Sequence, residues 1–242
     1  MLTIDELWEL ARTRRTVRGY LDKEVPPEMI DKILEVARWA PSGANSQPWE
    51  FVVITDPGMR KRIVEIFRKH SLVTKEIEEA GRGQTLTAIG SVGFQNAPVL
   101  ILILGDRRVN EAFPVQTQQE KGEQHFITGL ASATLLIHLA ATSLGLASQW
   151  VSAAGSSYMG TLMKSWLGIP QHLKIYDLVP IGYAAKQPPA PPRRALEEIV
   201  HRETYDPARV RSDADIRQFL QQQTRLGKFG AASRAGQDTS TE

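Results

Sequence analysis

The apolar run Pro98-Val99-Leu100-Ile101-Leu102-Ile103-Leu104 constrains the fold more than any other segment. A half-exposed strand alternates apolar and polar positions. This run does not, so it is a strand covered on both faces and placed centrally in a sheet. A second constraint comes from Ile127, Leu130, Ala131, Thr134, Leu135, His138, Leu139 and Thr142, whose spacing describes a long, almost wholly apolar helix that forms the core axis. A strand and a helix of this kind must bury each other.

The remaining elements follow from local signals. Thr3 to Glu6 reads as a capping box opening a first helix with Leu7, Leu10 and Ala11 on one face, ending in the basic run Arg12 to Arg18. A second helix begins at Pro26-Pro27 and stops before Pro41, and Asp56-Pro57 caps a third. Short strands are expected at Phe51–Ile54, which reads as buried, at Gln149–Val151 and from Leu173 to Ile181, with a helix over 157–167 closed by Gly168. Residues 71 to 96 suggest a charged helix followed by a mobile, glycine-bearing segment, and 105 to 122 a polar connection. The Pro-rich stretch 188 to 192 runs extended, Ser212 opens a last helix, and 225 to 242 has the composition of a disordered tail. Helices outnumber strands without alternating with them, which favours one α+β domain over 1–224 rather than a doubly wound sheet.

Composition closes several routes. The chain of 242 residues has no cysteine, which removes disulfides, thiolate nucleophiles and cysteine-ligated metals. Its 29 basic and 27 acidic residues leave a formal charge of +2, too little to favour nucleic acid as a partner. The N-terminal residues are amphipathic and acidic rather than signal-like, and no uninterrupted apolar stretch reaches membrane-spanning length, so a cytoplasmic protein with no membrane partner is expected. Neither a G-x-G-x-x-G fingerprint, a P-loop nor a G-x-S-x-G elbow is present. The five histidines are scattered, so no metal site is expected, and His138 reads as a hydrogen-bonded core residue.

Three constellations remain. Arg14, Arg15, Thr16 and Arg18 put guanidinium forks and a hydroxyl within one turn, which suits a phosphate; the same residues suit a basic helix end that faces solvent. The loop Pro41-Ser42-Gly43-Ala44-Asn45-Ser46-Gln47-Pro48-Trp49 sets small residues and polar edges between stiffening prolines, fitting either a planar heteroaromatic ligand or a helix-to-strand turn. Arg193 and Arg194 follow the extended prolines and, on local grounds, read as a solvated pair.

In combination and in this order, R-R-T-x-R, P-S-x-x-N-x-Q-P-W before an apolar strand, Ala97-Pro98, Gly145-Leu146, Pro180-Ile181-Gly182-Tyr183 and a basic residue before Leu196-Glu197-Glu198-Ile199-Val200 resemble the nitroreductase-like flavoprotein family across roughly residues 5 to 205. The resemblance implies a three-layer α+β sandwich with a central mixed sheet and an intertwined homodimer. It implies FMN, with Arg14, Arg15, Thr16, Arg18, Arg193 and Arg194 as candidates for the phosphate and ribityl chain. Pro41, Ser42, Gly43, Asn45 and Gln47 would line the isoalloxazine from the other subunit. The backbone at Ser152, Ala153 and Ala154 would meet flavin N5, although Ser-Ala-Ala departs from the family's usual glycine or acidic element there. Hydride would pass from NADH or NADPH through N5 to a nitroaromatic, quinone or activated enone, without a catalytic side chain. Alternatives within the fold are reductive dehalogenation, whose amino-acid clamp needs a lid tyrosine that is missing between Tyr20 and Tyr158, and flavin fragmentation; a flavin-binding protein without turnover is a third. Residues 71 to 122 lie outside the flavin motifs and suit a lid governing acceptor choice.

Overall fold

A computed structural model describes residues 3–82 and 92–223. The chain divides into two compact units, Met1–Thr74 with Gly90–Pro188, and Lys75–Ile89 with Pro189–Glu242.

The first unit is organised by a four-stranded sheet of β1 (Trp49–Ile54), β2 (Val99–Asp106), β3 (Ala147–Ser148) and β4 (Leu173–Gly182), in the order β1-β2-β4-β3. Every named strand pair is antiparallel, and the parallel component expected of a mixed sheet is limited, among the described residues, to an isolated bridge between Thr16 and Ser148 outside the named strands. The apolar run is β2, flanked on both edges as expected, and its side chains alternate between two cores. Leu100, Leu102 and Leu104 face α3 (Pro57–Arg82) and α5 (Ser157–Leu167) through Ile63, Phe67, Met159 and Met163. Val99, Ile101 and Ile103 face α2 (Pro27–Ala37) and α4 (Val115–Ser143) through Ile33, Phe126, Leu130 and Ile137. This is the three-layer α+β arrangement anticipated for the chain.

Several helix ends form as read. Thr3 and Glu6 make the capping box of α1 (Ile4–Thr13), Asp56 accepts the Met59 N–H at 2.7 Å, and Gly168 closes α5 in the left-handed conformation at φ 66°. In the second unit a short α6 (Leu196–Ile199) follows the extended prolines, and Ser212 with Asp215 caps α7 (Asp213–Gln223).

The boundaries differ in four places. Strand β1 pairs only with β2 and so lies at an edge, with Val53 40% exposed rather than buried. The strand expected at 149–151 is confined to Ala147–Ser148, with Val151 joined to Leu178 by an isolated bridge. Helix α4 begins at Val115, well before its apolar portion, because Gln116 to Gln124 consists largely of good helix formers that carry no burial period. Much of the presumed polar connection is therefore helix. The charged helix expected after residue 71 is continuous with α3, which runs through Lys75 and Glu79, paired at 3.7 Å, to Arg82. Gly83, Gly90 and the tail from 224 lie outside the described residues.

By length and hydropathy α4 would pass for a membrane span, a possibility that counting uninterrupted apolar residues had missed. Half of its apolar window is buried inside the protein, in the place of a core helix. Helix α1, by contrast, has no buried residue: Ile4, Leu7 and Trp8 all stand exposed.

Candidate functional site

The basic segment is not a helix turn. Helix α1 ends at Thr13, Arg14 adopts an extended ψ of 130°, and the chain then runs as a strand beside the sheet. Val17 donates to the Ser148 carbonyl at 3.0 Å, while Leu21 and Ala185 make backbone bonds to Tyr183 and Gly19 at 2.9 and 3.0 Å. Val17 and Tyr20 turn into the core, while Arg14, Arg15 and Thr16 are half-buried and Arg18 is exposed. Arg15 folds back to donate to the carbonyls of Arg12 and Arg14, so part of its capacity caps the helix end, as the solvent-facing reading had it. The positive charge of Arg14 reaches His138 on α4 and, second to burial, helps hold that imidazole at about 4.

The Pro41–Trp49 loop is strained where it is most polar. Ala44, Asn45 and Gln47 have φ of 52°, 51° and 44°, a region that non-glycine residues enter only when the surroundings enforce it. The enforcement is local. Ser42 Oγ accepts the Gln47 N–H at 3.0 Å, Gln47 Nε2 donates to the Asn45 carbonyl at 3.3 Å, and Asp106 N–H reaches back to the Pro48 carbonyl at 2.9 Å. Gly43 lies so close to the stacked Phe113 and His125 rings that a Cβ would meet Phe113 at 2.9 Å. Gly129 of α4 likewise lets Pro48 and Ser42 approach. The loop is thus placed from α4.

The segment after β3 completes the group. Val151 and Leu178 exchange backbone hydrogen bonds at 3.0 and 3.3 Å, and Ser152–Gly155 forms a 3-10 turn. Ala154 is buried and its N–H is taken by the Val151 carbonyl at 3.3 Å. Of the three residues considered for an N–H donor, this weakens Ala154 and leaves Ser152 and Ala153, the leading positions of the turn.

Four residues that the sequence reading had not assigned a role lie beside this turn. Asp177 of β4 is 2% exposed, and burial raises its carboxyl to about 6 despite the Trp150 indole donating to it. Trp150 also stacks on His138, whose Nδ1 lies 2.7 Å from the Ser148 hydroxyl. Gln149 Oε1, His138 Nε2 and Asp177 Oδ1 are buried without a hydrogen-bond partner. An acid inside the otherwise apolar run Ile175 to Ile181 was the available signal, since Asp is seldom fully buried.

Arg193 and Arg194 belong to the second unit. Arg194 is committed to Glu198, through its side chain at 3.3 Å and its carbonyl at 2.7 Å, whereas Arg193 is exposed with one bond to the Pro192 carbonyl. No cluster of potential metal ligands occurs among the described residues.

A family model described as the nitroreductase family matches residues 11–183. A Methanothermobacter thermautotrophicus protein provisionally named NADH dehydrogenase/NAD(P)H nitroreductase is 27% identical over 205 residues, covering 85% of each chain. Iodotyrosine deiodinase 1 of Mus musculus is 30% identical, over 81% of this chain and 68% of that protein. Among solved structures, a provisionally named nitroreductase of Desulfovibrio desulfuricans in complex with FMN superposes with a TM-score of 0.60 at 26% identity, over 84% of this chain and all of the other.

Proposed function

The chain belongs to the nitroreductase family, and from that premise we propose that it is an FMN-dependent oxidoreductase that takes hydride from NADH or NADPH and passes it to a nitroaromatic, quinone or activated enone. The observation that carries this reading is the hydrogen bond from Val17 to Ser148, which lays the Arg14–Arg18 segment beside the chain that continues into Gln149–Ala154. This supports the reading by setting the phosphate candidates beside the chain that leads to the N5 candidates Ser152 and Ala153.

The residues fit the cofactor. Guanidinium groups and the Thr16 hydroxyl suit a dianionic phosphate. The held loop offers Ser42, Gly43, Asn45 and Gln47 to a planar edge, and the unpartnered Gln149 Oε1 is a buried acceptor still lacking a donor. FMN, when bound, supplies hydride exchange at N5. Of the protein, Arg14, Arg15 and Arg18 would balance anionic charge, and the N–H groups of Ser152 and Ala153 would meet the ring. His138, buried and held at about 4, stays neutral at physiological pH and serves no acid–base step here. Arg193 is the better late arginine for the phosphate, because Arg194 is held by Glu198.

A homodimer belongs to the same proposal. Ile4 and Trp8 of α1 are 76% and 61% exposed, Trp39 72% and Leu135 of α4 47%, an apolar surface that a second copy would cover. The loop contributing Pro41 to Gln47 would then serve the partner's flavin. The lid attributed to 71–122 narrows, since β2, the core residues Val92, Phe94 and Ala97 and the start of α4 fall within it and are structural; residues 71–91 and 107–114 are left to govern acceptor choice. A cytoplasmic location follows only as an expectation of this chemistry.

The test is purification followed by spectroscopy: a yellow, non-covalent flavin identified as FMN, bleached by NADH or NADPH and restored by a quinone or nitroaromatic. Colourless protein that takes up no FMN overturns the reading. Bound FMN inert to nicotinamide would make the chain a flavin-binding protein without turnover, and dimethylbenzimidazole formed from reduced FMN would assign flavin fragmentation. Reductive dehalogenation is favoured by the deiodinase identity but opposed by the lack of any tyrosine from 21 to 157; release of iodide from iodotyrosine would decide for it.

A further inference from the structure

Asp177 lies at an irregularity of the sheet. Ile103 of β2 pairs with Asp177 and Leu104 with Ile175, so Tyr176 is an extra residue and the strand bulges there. A bulge re-aims the side chains beside it. The Asp177 carboxylate is directed at the Trp150 indole N–H, 2.5 Å away, and its second oxygen has no partner.

An interior carboxylate with one unpartnered oxygen is costly, and an apolar residue at this position would pack a purely structural sheet more favourably. What the cost secures is the plane of Trp150. The indole is tied at its nitrogen to Asp177, stacked on His138 at 5.5 Å and 27°, and met edge-on by Tyr176 at 6.5 Å. His138 is itself fixed by Ser148, and the backbone next to Trp150 is fixed by the Val151–Leu178 pair of hydrogen bonds. Yet 38% of Trp150 remains exposed, two residues before Ser152. A ring needed only to fill space would not be held on three sides and left open on the surface that carries the candidate flavin contacts.

Resting on the FMN reading, we propose that Trp150 is the aromatic platform of the flavin site and that Asp177 is the positioning residue that fixes its plane. The charged and titratable groups around this pair are Tyr176 beside Asp177, and His138 with Arg14 behind the indole. Indole in contact with oxidised flavin quenches its emission by electron donation, and phenylalanine does not.

The experiment titrates FMN into the flavin-free protein and reads bound-flavin emission, its lifetime and the dissociation constant, with thermal melts to report folding. Wild type should hold FMN nearly dark. Trp150→Phe should bind FMN with several-fold brighter, longer-lived emission. Asp177→Asn keeps an oxygen for the indole and should stay dark, whereas Asp177→Ala frees the ring and should brighten toward Trp150→Phe. If wild type takes up no FMN, the FMN reading falls and this proposal with it. If FMN binds but Trp150→Phe emits as wild type, the proposal alone is overturned; if Asp177→Ala stays dark, the role of Asp177 is. Should Asp177→Ala fail to fold, Asp177→Leu replaces it, and the Trp150→Phe comparison decides the platform independently.

Discussion

The two halves of the sheet are built to different rules. Strands β1 and β2 pair in unbroken register from Trp49–Gly105 to Ile54–Leu100, and β2 is apolar on both faces from Val99 to Leu104. Strands β4 and β3 carry a bulge, the buried Asp177, the buried Ser148 and, packed on them, His138 and Trp150. Thr134 aside, every buried polar residue described in the chain belongs to this second half. Density and regularity secure the first half; the second gives up some of that stability to hold polar groups in set orientations. A scaffold and a site share one sheet.

The comparison can be broken most forcefully on the scaffold side. Ile101→Ala empties a fully buried position of the central strand, and about 4 kcal/mol of stability should be lost in chemical denaturation. Folded molecules that survive should bind FMN with unchanged affinity. A fall in affinity of the folded fraction would mean that the halves are not separable.

On the site side the effect depends on pH. Burial raises Asp177 to about 6, so the folded protein prefers its neutral form and binds a proton that the unfolded chain releases near its ordinary value. Its contribution is therefore fully present at low pH and is lost as pH rises through 6. Relative to wild type, Asp177→Asn should gain about 2.5 kcal/mol between pH 4 and pH 7.5, measured by denaturant titration at each pH. His138 works in the opposite sense: held at about 4, its contribution is present above the ordinary histidine value and falls away as pH drops toward 4. A constant difference between the Asp177→Asn variant and wild type across this range would remove the claim that polar burial costs stability here.

Ligand affinity sharpens the contrast at a smaller scale. Arg14→Ala and Arg193→Ala should each weaken FMN binding by about 2 kcal/mol, roughly 30-fold, in a fluorescence titration, with melting temperature little changed. Unaltered affinity in both would leave the phosphate grip unassigned. Smallest of all, Ala44→Gly relieves a left-handed residue, and after the added freedom of the unfolded chain a gain of about 0.5 kcal/mol should remain. If the strained loop is held for the cofactor, that stabilised variant should bind FMN more weakly.

Much of this organisation was legible in the amino-acid order, where the governing interactions are local or purely compositional. Capping at Thr3 and Asp56, the stop at Gly168 and the two-sided apolarity of β2 all formed as read. So did the loop at 41–49 as a distinct polar element and the hydrogen-bonded core role of His138. A helix end failed where good helix formers precede the buried stretch, as at Val115, because periodicity records burial and not helicity. What only the tertiary structure decided is which distant groups meet. Arg14–Arg18 became a strand-like rail because Ser148 offered its carbonyl, and the carboxylate of Asp177 met Trp150 because a bulge turned it there. Contacts of that kind depend on register and packing between segments that share no local pattern, and those are settled only when the layers close around β2.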